Sequence, residues 1–197
     1  MKFDNSFNVS LPPAEAWIVL MDVERIAPCM PGATLTEVVD EKNFKGTVSV
    51  RLGPVALTFE GLAGFENVDE VAQTAEVKAK GKDPKGRGGA NAAVTFSIEP
   101  IDAGSRVLIE TDLTLSGSVA QYGRGVGMIQ SVASQLIGQF AKALEDEIAR
   151  DKAASVGEHV ELSASPAPEA TAEPQVISGL SIFFAAFGNW LKTLFKK

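Results

Sequence analysis

The chain has 197 residues, of which 45% are hydrophobic and 22% charged, and such a composition supports one well-packed core plus extensions. Its formal net charge of −7 argues against a nucleic-acid partner, which requires a basic face. With one cysteine, Cys29, and one histidine, His159, the chain offers neither an intramolecular disulfide nor a His/Cys metal cluster, so no metal is expected. The first ten residues lack the apolar stretch of a signal peptide, which predicts a cytoplasmic protein.

The first thirty residues predict one strand followed by two short helices. Lys2–Ser10 alternates apolar and polar residues in the manner of a half-buried strand. Two prolines at 12 and 13 end this strand and suit a first helical turn. A helix over Ala14–Asp22 is therefore expected, and a second, shorter one over Val23–Ala27.

From Ala33 to Leu115, apolar residues recur at every second position between turn signals, which predicts six antiparallel strands with one apolar face. The predicted inward residues are Phe44, Gly46, Val48, Val50, Leu52, Val55, Leu57, Phe59, Gly61, Ala63, Phe65, Val71, Ala75, Val77, Ala79, Ala92, Val94, Phe96, Ile98, Val107, Ile109, Leu113 and Leu115. Glycine and alanine are frequent among them. Since glycine within a strand marks bending or close approach, the sheet is expected to curl.

The segment Ser116–Ile148 predicts one long helix with a broad apolar face. Each interior glycine costs a helix about 1 kcal/mol relative to alanine, so propensity does not explain the glycines in this segment. They are Gly123, Gly125, Gly127 and Gly138. We expect Tyr122–Ala133 to form a thin lid over a cavity and Gln139–Ile148 to pack in the core against Trp17.

Five stretches of the sequence, in order, resemble the CoxG family of carbon monoxide dehydrogenase subunits. They are DVERIAPCMPGA, RLGPVALTFEG, GRGGANAAVTFSI, SRVLIETDLTLSGSVAQYG and QFAKAL. The resemblance covers about residues 1–150 and implies an α+β, helix-grip (START/polyketide-cyclase-like) fold, in which a curved antiparallel sheet of about seven strands wraps around a long C-terminal helix. It also implies a cytosolic, membrane-associated accessory protein of molybdenum carbon monoxide dehydrogenases that binds a lipophile and carries no redox centre.

In a helix-grip fold, the cavity mouth is expected where the long helix starts. The candidate ligand-binding residues near it are Phe59, Phe96, Leu113, Tyr122, Gly125, Val126, Met128, Ile129, Val132 and Ala133. Their alternative role is plain core packing, since inward apolar residues usually pack on one another.

Four loops are expected to gather at this mouth: Pro28–Gly32, Gly53-Pro54, Lys82–Gly89 and Ser116–Gly125. The candidate docking residues there are Met30, Lys82, Lys85, Arg87 and Arg124. The cations would steer the domain toward anionic lipid or an acidic protein face, or they are ordinary solvated charges. Cys29, in the first of these loops, is either a reactive thiol or a small buried residue.

Catalytic equipment is not visible in the sequence, and no enzymatic activity is expected. The single histidine precludes a Ser/His/acid triad in the core, and Glu60, Glu110 and Asp112 fall on outward strand positions. The glycine-rich stretches KGRGG and GRGVG lack the residues that complete a nucleotide-binding loop.

The last 47 residues differ in composition from the domain over residues 1–150. Residues 1–150 carry a net charge of −6, residues 151–175 a charge of −4 and residues 176–197 a charge of +3. Residues 151–175, rich in Pro, Ala, Ser and Glu, predict a flexible acidic linker. Residues 176–197 form an apolar stretch shorter than the about 20 residues of a membrane span.

On a helical wheel, residues 176–197 are amphipathic, which predicts a helix lying in the membrane interface. The predicted anchor residues are Leu180, Phe183, Phe184, Phe187, Trp190, Leu191, Leu194 and Phe195, together with Lys192, Lys196 and Lys197. Packing on the domain itself, contact between copies and a tilted span are the alternatives.

Taken together, these features predict a peripheral protein on the cytoplasmic face of the membrane that holds an isoprenoid quinone, either menaquinone or ubiquinone, in its cavity. Its expected partners are carbon monoxide dehydrogenase and membrane lipids, and it would shuttle the quinone between them. Two alternatives are a ligand-free scaffold that only recruits the dehydrogenase and a small-molecule enzyme built on the same fold. The oligomeric state stays open.

Overall fold

The computed structural model describes residues 1–124 and 126–160, and Met1–Gly157 forms one compact unit. The strands are β1 (Lys2–Val9), β2 (Ala33–Val38), β3 (Asn43–Leu52), β4 (Val55–Asp69), β5 (Thr74–Lys82), β6 (Gly88–Ile101) and β7 (Gly104–Gly117). The α-helices are α1 (Pro13–Met21), α2 (Val23–Ile26) and α3 (Val126–Val160), and short 3₁₀ helices lie at Ala27–Cys29 and Ser118–Arg124.

All seven strands belong to one antiparallel sheet in the order β1-β7-β6-β5-β4-β3-β2. Strands β2 to β7 pair consecutively, as expected for strands joined by short turns, and β1 pairs with β7 on the far edge. The predicted sheet of about seven antiparallel strands followed by a long helix is confirmed.

The strand register aligns small residues in two rows across the concave face of the sheet. One row consists of Gly46, Gly61, Gly81 and Ala90, and the next row consists of Phe44, Ala63, Ala79 and Ala92. A Cβ atom added to Gly61 would overlap the carbonyl oxygen of Lys80 on the neighbouring strand. Glycine at this position is therefore required by the close approach of the strands.

The main core lies where the C-terminal half of α3 meets α1 and the sheet. Phe140 packs edge-on against Phe7 with ring centroids 5.5 Å apart. Leu144 and Ile148 belong to the same buried cluster as Trp17 and Leu20, which confirms the predicted packing of Gln139–Ile148. Val71, predicted to face inward, is instead 98% exposed in the turn between β4 and β5.

The predicted start of the long helix is wrong. Strand β7 continues through Gly117 because Ser116 and Gly117 pair with Gly89 and Gly88 of β6. The chain then turns at Gly117, whose φ of +69° favours glycine, and forms a 3₁₀ helix. Helix α3 begins only at Val126 and runs to Val160, so its last turns occupy residues that the sequence assigned to the linker.

Two glycines of opposite surroundings give a matched test of these backbone arguments. A Cβ at Gly138, in the middle of α3, would meet nothing within 4 Å. We expect Gly138→Ala to raise the free energy of unfolding by about 0.5–1 kcal/mol. Gly61→Ala is expected to lower it, because its Cβ overlaps the backbone of β5. Urea denaturation measures both; stabilisation by the Gly61 change would contradict the close strand approach.

Candidate ligand cavity

The concave sheet and α3 enclose a cavity of about 570 Å³, within the range of small-molecule sites. The two rows of small residues form part of its floor, and α3 contributes Ile129, Val132, Ala133, Leu136 and Phe140. Among the described residues that line it, those with polar side chains are Thr34, Lys45, Thr47 and Lys80. Each of these alternates with an inward residue of its strand, so its side chain belongs to the opposite face. The cavity is accordingly an apolar container.

Six of the predicted ligand-binding residues line this cavity: Phe59, Phe96, Leu113, Ile129, Val132 and Ala133. Phe96 is held from behind by Trp17, with ring centroids 5.7 Å apart. Sheet and helix therefore contribute facing apolar surfaces, as the sequence predicted for residues of these two elements.

The structure does not place Tyr122 and Met128 along the cavity. Tyr122 lies in the 3₁₀ helix and packs against a second apolar cluster of Leu52, Leu57 and Val119. Met128 is 51% exposed, because the late start of α3 turns it outward. The predicted lid over Tyr122–Ala133 is thus the beginning of α3 preceded by a packed 3₁₀ segment.

Other predicted site residues lie outside the described part of the chain. These are Gly125, the side chains of Arg124 and Val126, and the membrane-anchor residues from Leu180 to Lys197.

Asn5 is an inward polar residue that the sequence interpretation missed. Its strand position aligns it with Phe3 and Phe7, and its cross-strand partner is Ile109. The Asn5 Oδ1 atom accepts a hydrogen bond from the Ser134 hydroxyl of α3 at 2.8 Å, while Nδ2 is buried without a partner among the described residues. Period-two alternation alone identifies its face; its role in seating α3 required the helix to be placed.

Three of the four predicted mouth loops meet around Arg87, whose guanidinium is held in place. Its Nε donates to Asp83 Oδ2 at 2.6 Å, and its Nη1 donates to the Ala56 carbonyl at 3.1 Å. The Ser118 hydroxyl donates to the Arg87 carbonyl at 2.7 Å. Because the Asp83 side chain is fully buried, Arg87 ties the loops together instead of standing free for docking. Lys82 and Lys85 are exposed.

Cys29 belongs to the main buried cluster. Burial raises the pKa of the Cys29 thiol, and the Glu147 carboxylate adds to this effect. Since the thiolate is the reactive form, a raised pKa disfavours reactivity. The structure thus supports the interpretation of Cys29 as a small buried residue.

Two further findings concern residues 1–124 and 126–160. No group of three or more His, Cys, Asp or Glu side chains among them is arranged to hold a metal ion. None of the helices they form is both long and apolar enough to cross a membrane.

A curved antiparallel sheet wrapped around a long C-terminal helix, with an apolar cavity between them, defines the class of START/polyketide-cyclase-like helix-grip proteins. The chain is similar in structure to a conserved protein from Geobacillus kaustophilus, with 22% identity and a TM-score of 0.65, over 76% of this chain and 96% of that one. It is also similar to a protein from Thermus thermophilus (15% identity, TM-score 0.56, 77% and 99% covered). A third is the Zhui aromatase/cyclase from Streptomyces sp. R1128 (15%, 0.54, 76% and 94%).

Among curated proteins, none matches the sequence significantly. The family model of CoxG, the carbon monoxide dehydrogenase G-type subunit, matches residues 6–149. The chain belongs to this family, which confirms the resemblance seen in its sequence.

Proposed function

We propose that this protein binds an isoprenoid quinone in its cavity and carries it between the cytoplasmic face of the membrane and a molybdenum carbon monoxide dehydrogenase. The observation that carries the proposal is an apolar cavity of about 570 Å³ in a member of the CoxG family. The family name supplies the enzyme as partner, and the cavity supplies the chemical class of the cargo.

The lining favours a hydrocarbon ligand on physical grounds. Glycine and alanine at the floor remove the side chains that would otherwise fill the space between sheet and helix. An apolar wall that faces empty space forfeits dispersion contacts, which a bound hydrocarbon chain restores. An isoprenoid chain offers such contacts along its length, and menaquinone and ubiquinone both carry one.

The membrane part of the proposal rests on the sequence of the last 47 residues. Residues 176–197 have the composition of an interfacial amphipathic helix, with a net charge of +3 that suits an anionic leaflet. The acidic segment before it is composed like a flexible tether, which lets the domain visit both membrane and enzyme.

The proposal assigns transport and no catalysis to this protein. The apolar lining supports this, as do the three carboxylates Glu60, Glu110 and Asp112, all of which are exposed and not part of the cavity lining. Acid–base chemistry needs a titratable group within hydrogen-bond reach of the reacting atoms.

Trp17 provides a direct readout of the cavity, because it packs on Phe96, which lines it. The chain has two tryptophans, so Trp190→Phe leaves Trp17 as the only one. Menaquinone and ubiquinone, which absorb where tryptophan emits, are expected to quench Trp17 saturably. Organic extraction and mass spectrometry of protein from its native host should recover a quinone. Folded protein that shows neither quenching nor recovered quinone would refute the proposal.

Liposome flotation tests the tether, with the full chain expected to float and a chain of residues 1–175 expected to stay with the soluble fraction. Equal partition of both would rule out the anchor. The scaffold alternative is separated by a variant whose cavity is filled: a carrier then loses electron delivery from dehydrogenase to membrane, whereas a scaffold retains it.

A further inference from the structure

The wall of the cavity ends at the edge of the sheet formed by β2 and β3. Pairing between these strands begins at Ala33 and Val48, and β3 continues beyond it to Leu52. One more bond, from the Ser49 N–H to the Gly32 carbonyl at 2.8 Å, fastens the turn before β2 against this edge. The turn therefore holds Met30 beside Val48, and we call these two residues the portal rim.

The portal rim joins the outside of the domain to the inside of the cavity. Met30 is 37% exposed and Val48 is 40% exposed, yet both line the cavity. Ile26 and Ala33 beside them, and Val50 further along β3, also line it. Apolar surface thus continues from solvent into the cavity without a polar break.

Two ion pairs flank this edge of the domain. Lys45 Nζ lies 2.8 Å from Glu37 Oε2 across β2 and β3, and Arg25 of α2 pairs with Asp151 of α3. Each pair neutralises its own charges, so the apolar rim between them suits a hydrocarbon phase better than a charged protein face.

We infer that the portal rim is the surface that contacts the bilayer during loading, so that the ligand passes from lipid into the cavity without crossing water. The inference rests on the proposed function and identifies where the cargo enters. Its physical reason is that apolar surface exposed to water on the way raises the barrier in proportion to its area. A rim inserted among the acyl chains removes that barrier.

Site-specific labelling tests the contact. In the full chain with Cys29→Ala, an environment-sensitive fluorophore is attached at Met30→Cys or, as control, at Val71→Cys. Val71 is 98% exposed and does not line the cavity. With vesicles of phosphatidylcholine and phosphatidylglycerol whose acyl chains are brominated, we expect quenching at position 30 and not at position 71. Equal quenching at both positions, no quenching at 30, or a response at 30 to the dehydrogenase but not to vesicles would overturn the inference.

Loading kinetics give a second, independent measurement. We expect Met30→Asp to slow menaquinone loading from vesicles about tenfold more than it slows loading from detergent micelles, because the carboxylate keeps the rim out of the acyl chains. Val71→Asp should change neither rate. Equal slowing by both routes would assign Met30 to binding alone and overturn the inference. A wild-type chain that takes up no menaquinone from either source would instead overturn the proposed function.

Discussion

Ala92→Phe is expected to weaken quinone binding about tenfold or more, a loss of at least about 1.4 kcal/mol, while Ala93→Phe leaves it unchanged. Ala92 lies on the cavity floor between Ala79 and Leu113 of the neighbouring strands. A benzyl group there occupies the space proposed for the ligand. Ala93, one residue further, pairs with Lys78 and Asp112 on the opposite face of the sheet.

Titration of Trp17 fluorescence in the Trp190→Phe background measures both dissociation constants. The thermal midpoints of the two variants should remain close to that of the parent, because Ala92→Phe extends into open space and not into a filled core. Equal affinities for the two variants would show that the quinone does not occupy this cavity. A third variant, Ala79→Phe, repeats the test from the neighbouring strand.

Asp83→Ala is expected to lower the free energy of unfolding by about 3 kcal/mol. Its carboxylate is fully buried and accepts from the Lys85 N–H at 2.7 Å as well as from Arg87. Removal of the carboxylate leaves the Arg87 guanidinium, which is 32% exposed, without its counter-charge. Because Arg87 also bonds to Ala56, the expected loss includes the joint between the β5–β6 and β3–β4 loops.

Urea denaturation of Asp83→Ala, Asp83→Asn and Asp102→Ala measures this effect. Asn retains an acceptor for the Lys85 N–H and is expected to recover part of the loss. Asp102 is exposed in the turn between β6 and β7, so its replacement should cost less than about 0.5 kcal/mol. If Asp83→Ala were as mild as Asp102→Ala, the ion pair would contribute little and Arg87 would be available for docking after all.

The inward face of the sheet was predictable from sequence because strand alternation is a local property. Phe59, Phe96 and Leu113 were assigned correctly in this way, and their strands pair in the order expected from short turns. Val71 shows the limit of the same rule, since alternation continues through a turn without any sign that the strand has ended.

The start of α3 was not predictable for a different reason. Residues 116–124 are rich in small side chains, and the sequence fits a helix as well as the strand end and 3₁₀ helix that form. The choice depends on Ser116 and Gly117 pairing with β6, a contact between residues almost thirty positions apart. The shifted start explains why Tyr122 packs in the second apolar cluster and Met128 faces solvent.

The sequence by itself determined the class of fold, the family, the apolar face of each strand and the helix half that fills the core. These depend on periodicity and on ordered motifs, both of which are read within a few residues of the chain. Only the tertiary structure decided that Gly46, Gly61 and Gly81 align in one row, that Arg87 pairs with the buried Asp83, and that the cavity reaches the surface at Met30 and Val48. Each of these is set by strand register or by loops meeting in space, and local periodicity carries no information about either.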